Sequence, residues 1–314
     1  LQPDFSNKVV FKKEKKALNN EMSGNNSAPE NIVYHSAINA RFEENPNYYI
    51  NPSLTIDDKN INLEDIEKYY RQYCHSGNIT LFIGIHQPTH IQIKNIKEII
   101  CDVKTHNHKK NEFPTVKYSR FSIVKKQLLS QRVYLTLTWP GPSYKNDLIE
   151  FYLLTYTMKL LVQGQEGRLF QILRVENSLV YGVNGLTQFL NTVGMFAIST
   201  AVETKDVLLA INLIIKEVNK IKNGKIDKKL LKKHLSESNS FNQKGWRDNW
   251  KTFDWICRDI AQQQKPLSKK HFSEMNNKIL KNPLLISAAG KKYLNHRHLN
   301  IIFVGKGVKK IDLS

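Results

Sequence analysis

The chain has 314 residues, 40% of them hydrophobic, which is enough for one large buried core or for two domains of ordinary size. No run of about 18 apolar residues occurs, so the sequence argues against a transmembrane helix. The 47 lysines and arginines outnumber the 28 acidic residues and give a formal net charge of +19.

Two interpretations of this charge remain open. A basic surface attracts nucleic acid, anionic membranes or acidic substrates, which would make the chain a basic binding protein. Alternatively, the lysines are the ordinary solvated residues of a lysine-rich chain. The lysines are spread widely and few aromatic residues lie among them, which favours the second interpretation and disfavours nucleic acid as a partner.

The cysteine content bears on the compartment. Cys74, Cys101 and Cys257 lie far apart, with no CxxC pair and no disulfide framework. This pattern predicts a reducing intracellular compartment, with the cytoplasm favoured and an organelle left open.

The first hundred residues are predicted to be mainly helical. Apolar spacing, turn residues and an Asn62 cap indicate four helices and one apolar strand. In chain order these are helices at 8–22, 29–42 and 63–73, a strand at 78–85, and a helix near 92–101. The polar residues 104–120 are interpreted as a linker.

The remainder alternates between strands and helices. The predicted elements are a strand at 131–139, helices at 146–163 and 166–176, strands at 179–187 and 193–203, a helix at 205–224, further helices over 226–280, and a closing helix, turn and strand over 287–306. This order is typical of an α+β fold.

One pattern occurs twice. YRQYCHSGNITLFIGI and KKYLNHRHLNIIFVGK share a helix end, a histidine-containing turn, an apolar strand and a glycine, and Gly84 and Gly305 lie 221 residues apart. The repetition predicts two copies of one domain. The second copy would begin near residue 120 and be complete, whereas the first would lack its front part.

Five blocks carry a family resemblance, in the family's order. Residues 131–147, 167–183 and 193–211 resemble the C-terminal domain of the insulinase, pitrilysin and mitochondrial-processing-peptidase family, the inverzincins. EKKALNNEM at 14–22 resembles the helix that carries the family's third zinc ligand. Residues 60–85 resemble the helix and last strand of the family's first domain.

The resemblance implies an α+β fold of two similar domains, each a mixed β-sheet with helices packed on one face. Residues 1–103 would be the remainder of the N-terminal, metal-site domain, which is incomplete at its N-terminus. Residues 104–120 would be the linker and 121–314 the C-terminal domain. In this family the two domains face each other across a chamber that encloses an unfolded polypeptide.

Arg174 and Tyr181 correspond to an arginine and a tyrosine of the family's C-terminal domain that reach the active site. The resemblance implies that they position the substrate or the tetrahedral intermediate. A guanidinium and a phenol are both hydrogen-bond donors, and both suit a substrate carbonyl or a developing oxyanion.

The resemblance also implies a zinc cofactor. The family binds zinc through the two histidines of HxxEH and a distant glutamate, and the glutamate inside the motif is the general base. Glu21 corresponds to the distant ligand. Glu14, seven residues earlier and about 20° away around the helix, resembles the carboxylate that orients a histidine ligand.

HxxEH is absent from the 314 residues. The three close histidine pairs are interpreted as ordinary solvated histidines: His86 and His90, His106 and His108, and His296 and His298. The family places the motif roughly 70 residues before the third ligand, and only 20 residues precede Glu21. The motif is therefore expected upstream of Leu1, and these residues alone are expected to be inactive.

The resulting hypothesis is a zinc-dependent metallopeptidase that hydrolyses unfolded polypeptides. A non-catalytic scaffold or partner subunit of the same family is the first alternative, and a basic binding protein is the second. A second copy or a related subunit remains open as a partner.

Overall fold

The computed structural model describes residues 5–42, 61–85, 87, 89–101, 119–143, 148–189, 193–247, 249–261 and 268–312. In these residues, five strands form one mixed sheet: β1 (Ser122–Gln127), β2 (Val133–Gly141), β3 (Val183–Phe189), β4 (Gly194–Val202) and β5 (Asn300–Gly305). Their order is β1-β5-β2-β4-β3, with β1 parallel to β5 and the other neighbours antiparallel. The predicted mixed α+β class is confirmed.

The helices follow the predicted order. They are α1 (Lys8–Ser27), α2 (Pro29–Phe42), α3 (Leu63–Tyr73), α4 (His90–Cys101), α5 (Leu148–Val162), α6 (Arg168–Phe170), α7 (Val207–Lys222), α8 (Lys228–Arg247), α9 (Asn249–Ala261), α10 (Lys269–Lys281) and α11 (Leu284–Tyr293). A π-helix, Gln171–Glu176, continues α6, and short 3-10 turns occur at Ser76–Asn78, Thr204–Asp206, His296–His298 and Val308–Lys310. Among the described helices, none is both long and apolar enough to cross a bilayer.

One face of the sheet carries the main core. Alternate residues of β2, namely Leu135, Leu137 and Trp139, are at most 2% exposed and pack with the apolar sides of α5, α7 and α11. The alternation follows from the strand's two-residue period, which sends every second side chain to the same face. The core on this face includes Leu169, Leu173 and Val180, which anchor the elements that carry Arg174 and Tyr181.

The other face of the sheet is covered by α2. Ile38 and Phe42 of α2 pack on β4, while Val33 and Ala37 pack on β5. Arg41 is fully buried, and its Nη2 donates to the carbonyl oxygens of Thr138 and His298, each at 2.6 Å. α2, which was predicted to belong to the first domain, therefore buries its apolar side on the sheet formed by residues 122–305.

Three local predictions differ from the structure. The predicted strand at 78–85 forms no strand, and no described strand pairs with it. β1 was not predicted, because its two lysines interrupt the apolar pattern by which a strand is recognised in the sequence. The helix predicted to end at residue 22 continues to Ser27. Most of the predicted linker, 104–120, lies outside the described residues.

Candidate functional site

The segment that carries Arg174 is held by its buried side. Leu169 and Leu173 are fully buried in the main core, and Ile172 is 6% exposed. A Cβ on Gly167, just before α6, would lie 2.8 Å from the carbonyl carbon of Val162, so only glycine allows α6 to start so close to the end of α5. With its apolar side anchored, the helical segment presents Arg174 on the exposed side.

A tight turn connects this segment to β3. The Leu179 N–H donates to the Leu173 carbonyl at 2.8 Å, and the Asn177 side-chain amide donates to the Ile172 carbonyl at 2.7 Å. Ser178 occupies the left-handed region with φ of 52°, which reverses the chain direction. The turn brings Tyr181, two residues before β3, back beside the π-helix.

Arg174 and Tyr181 are in direct contact. The guanidinium carbon of Arg174 lies 4.8 Å from the centroid of the Tyr181 ring, a cation–π arrangement. Arg174 Nη1 also donates to the Val180 carbonyl at 3.1 Å, and Val180 is buried. The structure therefore brings together the two residues that the resemblance paired.

The pair retains hydrogen-bonding capacity. Tyr181 is 78% exposed, and its hydroxyl has no hydrogen bond within the described residues. Among the described residues, Arg174 uses one of its five N–H donors, in the bond to Val180, which leaves four for a ligand. Such a pair can bind a carbonyl oxygen or an anionic oxygen, because both of its members donate and the arginine is always charged.

Glu14 and Glu21 lie on α1, as predicted, and both are exposed. Their spacing corresponds to about 10 Å along the helix axis. Within the described ranges, neither carboxylate makes a hydrogen bond or an ion pair, and no contact joins them to Arg174 or Tyr181. Their predicted roles at a metal therefore stay predictions.

The described residues by themselves do not fit a catalytic zinc ion. No group of three or more histidine, cysteine, aspartate or glutamate side chains could hold a metal in the part of the chain that the structure describes. Catalytic zinc takes three protein ligands and a water molecule, and Glu21 supplies one carboxylate. The HxxEH histidines would have to come from elsewhere.

A second polar cluster was missed by the sequence analysis. Glu217 is 3% exposed, lies 2.6 Å from Lys220 and 3.5 Å from Arg168, and lines a surface pocket. The available signal was a glutamate on the apolar side of α7, between Ile214 and Ile221. A charged residue in that position is rarely buried unless it is paired.

Comparison with known families identifies the family of this chain. The family model described as the peptidase M16 inactive domain matches residues 60–237, which is more than half of the chain. The chain belongs to the M16 peptidase family. The predicted family membership is thereby confirmed, and the matched region includes Arg174, Tyr181 and the buried Glu217.

Solved structures share the M16 fold across nearly the whole chain. A protease from Helicobacter pylori is 16% identical with a TM-score of 0.77, covering 95% of this chain and 72% of its own. A peptidase M16 inactive domain from Pseudomonas fluorescens is 14% identical with a TM-score of 0.77, covering 96% and 71%. A chain of complex III2 from Candida albicans is 14% identical with a TM-score of 0.75, covering 96% and 72%. No curated protein sequence matches.

Proposed function

We propose that these residues form the peptide-binding part of an M16 zinc metallopeptidase whose substrates are unfolded polypeptides. The observation that carries the proposal is the Arg174–Tyr181 contact on an exposed surface. A surface arginine normally samples many rotamers, and fixing it on binding costs entropy. Stacking on Tyr181 and the hydrogen bond to Val180 restrict Arg174 before a substrate arrives. That restriction reduces the entropy lost on binding.

The pair would act on the substrate backbone. Arg174 would donate charge-assisted hydrogen bonds to a peptide carbonyl, and the Tyr181 hydroxyl would donate a further bond. Both interactions strengthen when the carbonyl oxygen gains negative charge during hydrolysis. The pair would therefore favour the tetrahedral intermediate over the bound substrate.

Binding of the metal would require histidine ligands from another stretch of polypeptide, in the same protein or in a partner subunit. In the proposal that polypeptide supplies HxxEH, Glu21 completes the ligand set, and Glu14 orients a histidine. Zinc in such a site activates a water molecule. The 314 residues alone, which lack HxxEH, are proposed to bind peptide without hydrolysing it.

A non-catalytic subunit is the second candidate. It is supported by the match to a family model described as inactive, by the absence of HxxEH from these residues, and by the likeness to a chain of complex III2. In that case the fold would serve as a scaffold that binds a related subunit.

Bound zinc separates the two candidates. The measurement is zinc per chain in the longest natural product of the gene, compared with its Glu21→Gln variant. About one zinc per chain, lost or strongly weakened in the variant, is expected for the peptidase. Zinc in neither protein would favour the scaffold and refute the metal roles of Glu14 and Glu21.

Peptide cleavage by the zinc-loaded protein tests the pair. Arg174→Gln and Tyr181→Phe should each lower kcat/KM, and for an oxyanion donor the loss is about 100-fold or more. Arg297→Gln is the control, because Arg297 is exposed and lies in the turn before β5. Equal activities for Arg174→Gln and Arg297→Gln would contradict the proposed role of the pair.

A further inference from the structure

A pocket lies beside Arg168, at the start of the helical segment that carries Arg174. It forms where α5 ends, α6 begins and the loop between α7 and α8 turns back, and its volume is about 430 Å³. Ligand pockets in proteins typically measure about 300–1,000 Å³, so a small molecule would fit. Four apolar residues contribute to its walls: Leu160, Leu161, Ile221 and Ile226.

The polar wall is built around a buried charge. Glu217 is 3% exposed, and its Oε1 accepts a hydrogen bond from Lys220 Nζ at 2.6 Å. Arg168 Nε lies 3.5 Å from Oε2, at the limit of a hydrogen bond. Lys220 is therefore the closer partner of Glu217, and the contact with Arg168 is the longer one.

Positive charge exceeds negative charge in this wall. Arg168, Lys220 and Lys225 face two carboxylates, those of Glu217 and Asp227. Asp227 already accepts a hydrogen bond from the Leu230 N–H at the start of α8, at 2.9 Å. Within the described residues, the terminal nitrogens of Arg168 and the Lys225 ammonium make no hydrogen bond or ion pair. The wall therefore carries one unit of net positive charge, and the donors of Arg168 and Lys225 remain available to bind an anion.

We infer that this pocket binds a small monocarboxylate that carries a short hydrocarbon group. The carboxylate would lie against Arg168 and Lys225, since a guanidinium fork matches the two oxygens of a carboxylate. The hydrocarbon would cover the apolar wall beside Ile226, which inorganic anions cannot do. Both a free short-chain acid and the C-terminal residue of a peptide have this chemistry.

Ligand-observed NMR titrations of the protein with five probes test the assignment. Hexanoate is the expected ligand, with a dissociation constant on the order of 1 mM. Acetate has only a methyl group in place of the pentyl chain and should bind about tenfold or more weakly, because each buried methylene adds to the affinity. Hexylamine reverses the charge and should not compete. N-acetyl-leucine, compared with its uncharged amide, represents a peptide C-terminus.

Three variants test the residues. Arg168→Gln and Lys225→Gln should each weaken hexanoate binding by about tenfold or more, since each removes a charged donor. Lys225→Gln is the safer of the two, because Lys225 is exposed and its substitution leaves the Glu217 ion pairs intact. Lys216→Gln removes the same charge from an exposed position of α7 outside this pocket, and binding should be unchanged.

The outcomes are decisive in each direction. Binding of hexanoate that depends on Arg168 and Lys225 but not on Lys216 supports the site. The same dependence for N-acetyl-leucine, together with loss in its amide, assigns the ligand to peptide C-termini. Equal binding of hexanoate and hexylamine, no saturation up to about 50 mM, or equal effects of all three variants would overturn it. None of these results depends on zinc or on Arg174, so this test can fail without refuting the proposed function.

Discussion

The sheet with its helices and the segment from residue 61 to 101 are stabilised in different ways. Leu135 and Leu137 of the sheet are fully buried, and both faces of the sheet are covered. In the other segment, Leu81 and Ile83 are 63% and 45% exposed, and α3 buries none of its residues. Apolar sequence alone therefore does not make a core, because burial requires a second apolar surface.

The exposed segment nevertheless has a strong local signal. Asn62 and Asp65 form a complete capping box at the start of α3, with bonds of 3.0 and 2.9 Å. Such caps contribute about 1 kcal/mol to a helix. A cap determines where a helix begins, but it does not bury the helix: the Phe5 ring lies 5.3 Å from the Tyr70 ring, and α3 still buries none of its residues.

The largest expected effect compares a buried with an exposed aliphatic residue. Leu137→Ala should lower the free energy of unfolding by about 2–5 kcal/mol, because it opens a cavity in the main core. Ile83→Ala should change it by less than about 0.5 kcal/mol, as is usual for exposed positions. Urea unfolding followed by circular dichroism measures both. Similar losses for the two variants would mean that residues 79–85 are buried in solution.

A smaller effect compares two arginines. Arg41→Met should cost about 1.5–3 kcal/mol, because Arg41 is buried and donates to two carbonyl groups of the sheet. Arg71→Met removes an exposed pair with Glu67 and should cost about 0.5 kcal/mol. Hydrogen exchange should show α2 losing protection in the first variant only. Unchanged α2 protection there would contradict the docking of α2 on the sheet.

The smallest effect concerns pH. Burial lowers the pKa of His35, and the nearby Lys126 lowers it further. The unfolded chain therefore binds the proton more tightly, so the stabilising contribution is complete above about pH 6.5 and is lost as the pH falls towards the folded-state pKa. His35→Gln should lose less stability than the parent protein between pH 7 and pH 5. His90→Gln, at an exposed position of α4, should follow the parent.

The two polar pairs of the C-terminal half show what could be predicted about sites. Arg174 and Tyr181 were identified because their spacing matched a family pattern, and the structure places them in contact. The contact of Arg168 with Glu217 joins two elements 49 residues apart and matched no pattern. Local spacing indicates neighbours along one segment, whereas a pair between distant elements depends on how these elements pack.

Periodicity and caps in the sequence determined the α+β class and most of the helices and strands, because these are local properties. The resemblance of the ordered blocks to a known family implied the family and the Arg174–Tyr181 pair. Only the tertiary structure decided that α2 covers the sheet, that β1 joins its edge, that 78–85 forms no strand, and that Glu217 is buried. Each of these depends on the partner surface, and hydrophobic periodicity indicates that a face is buried without identifying what buries it.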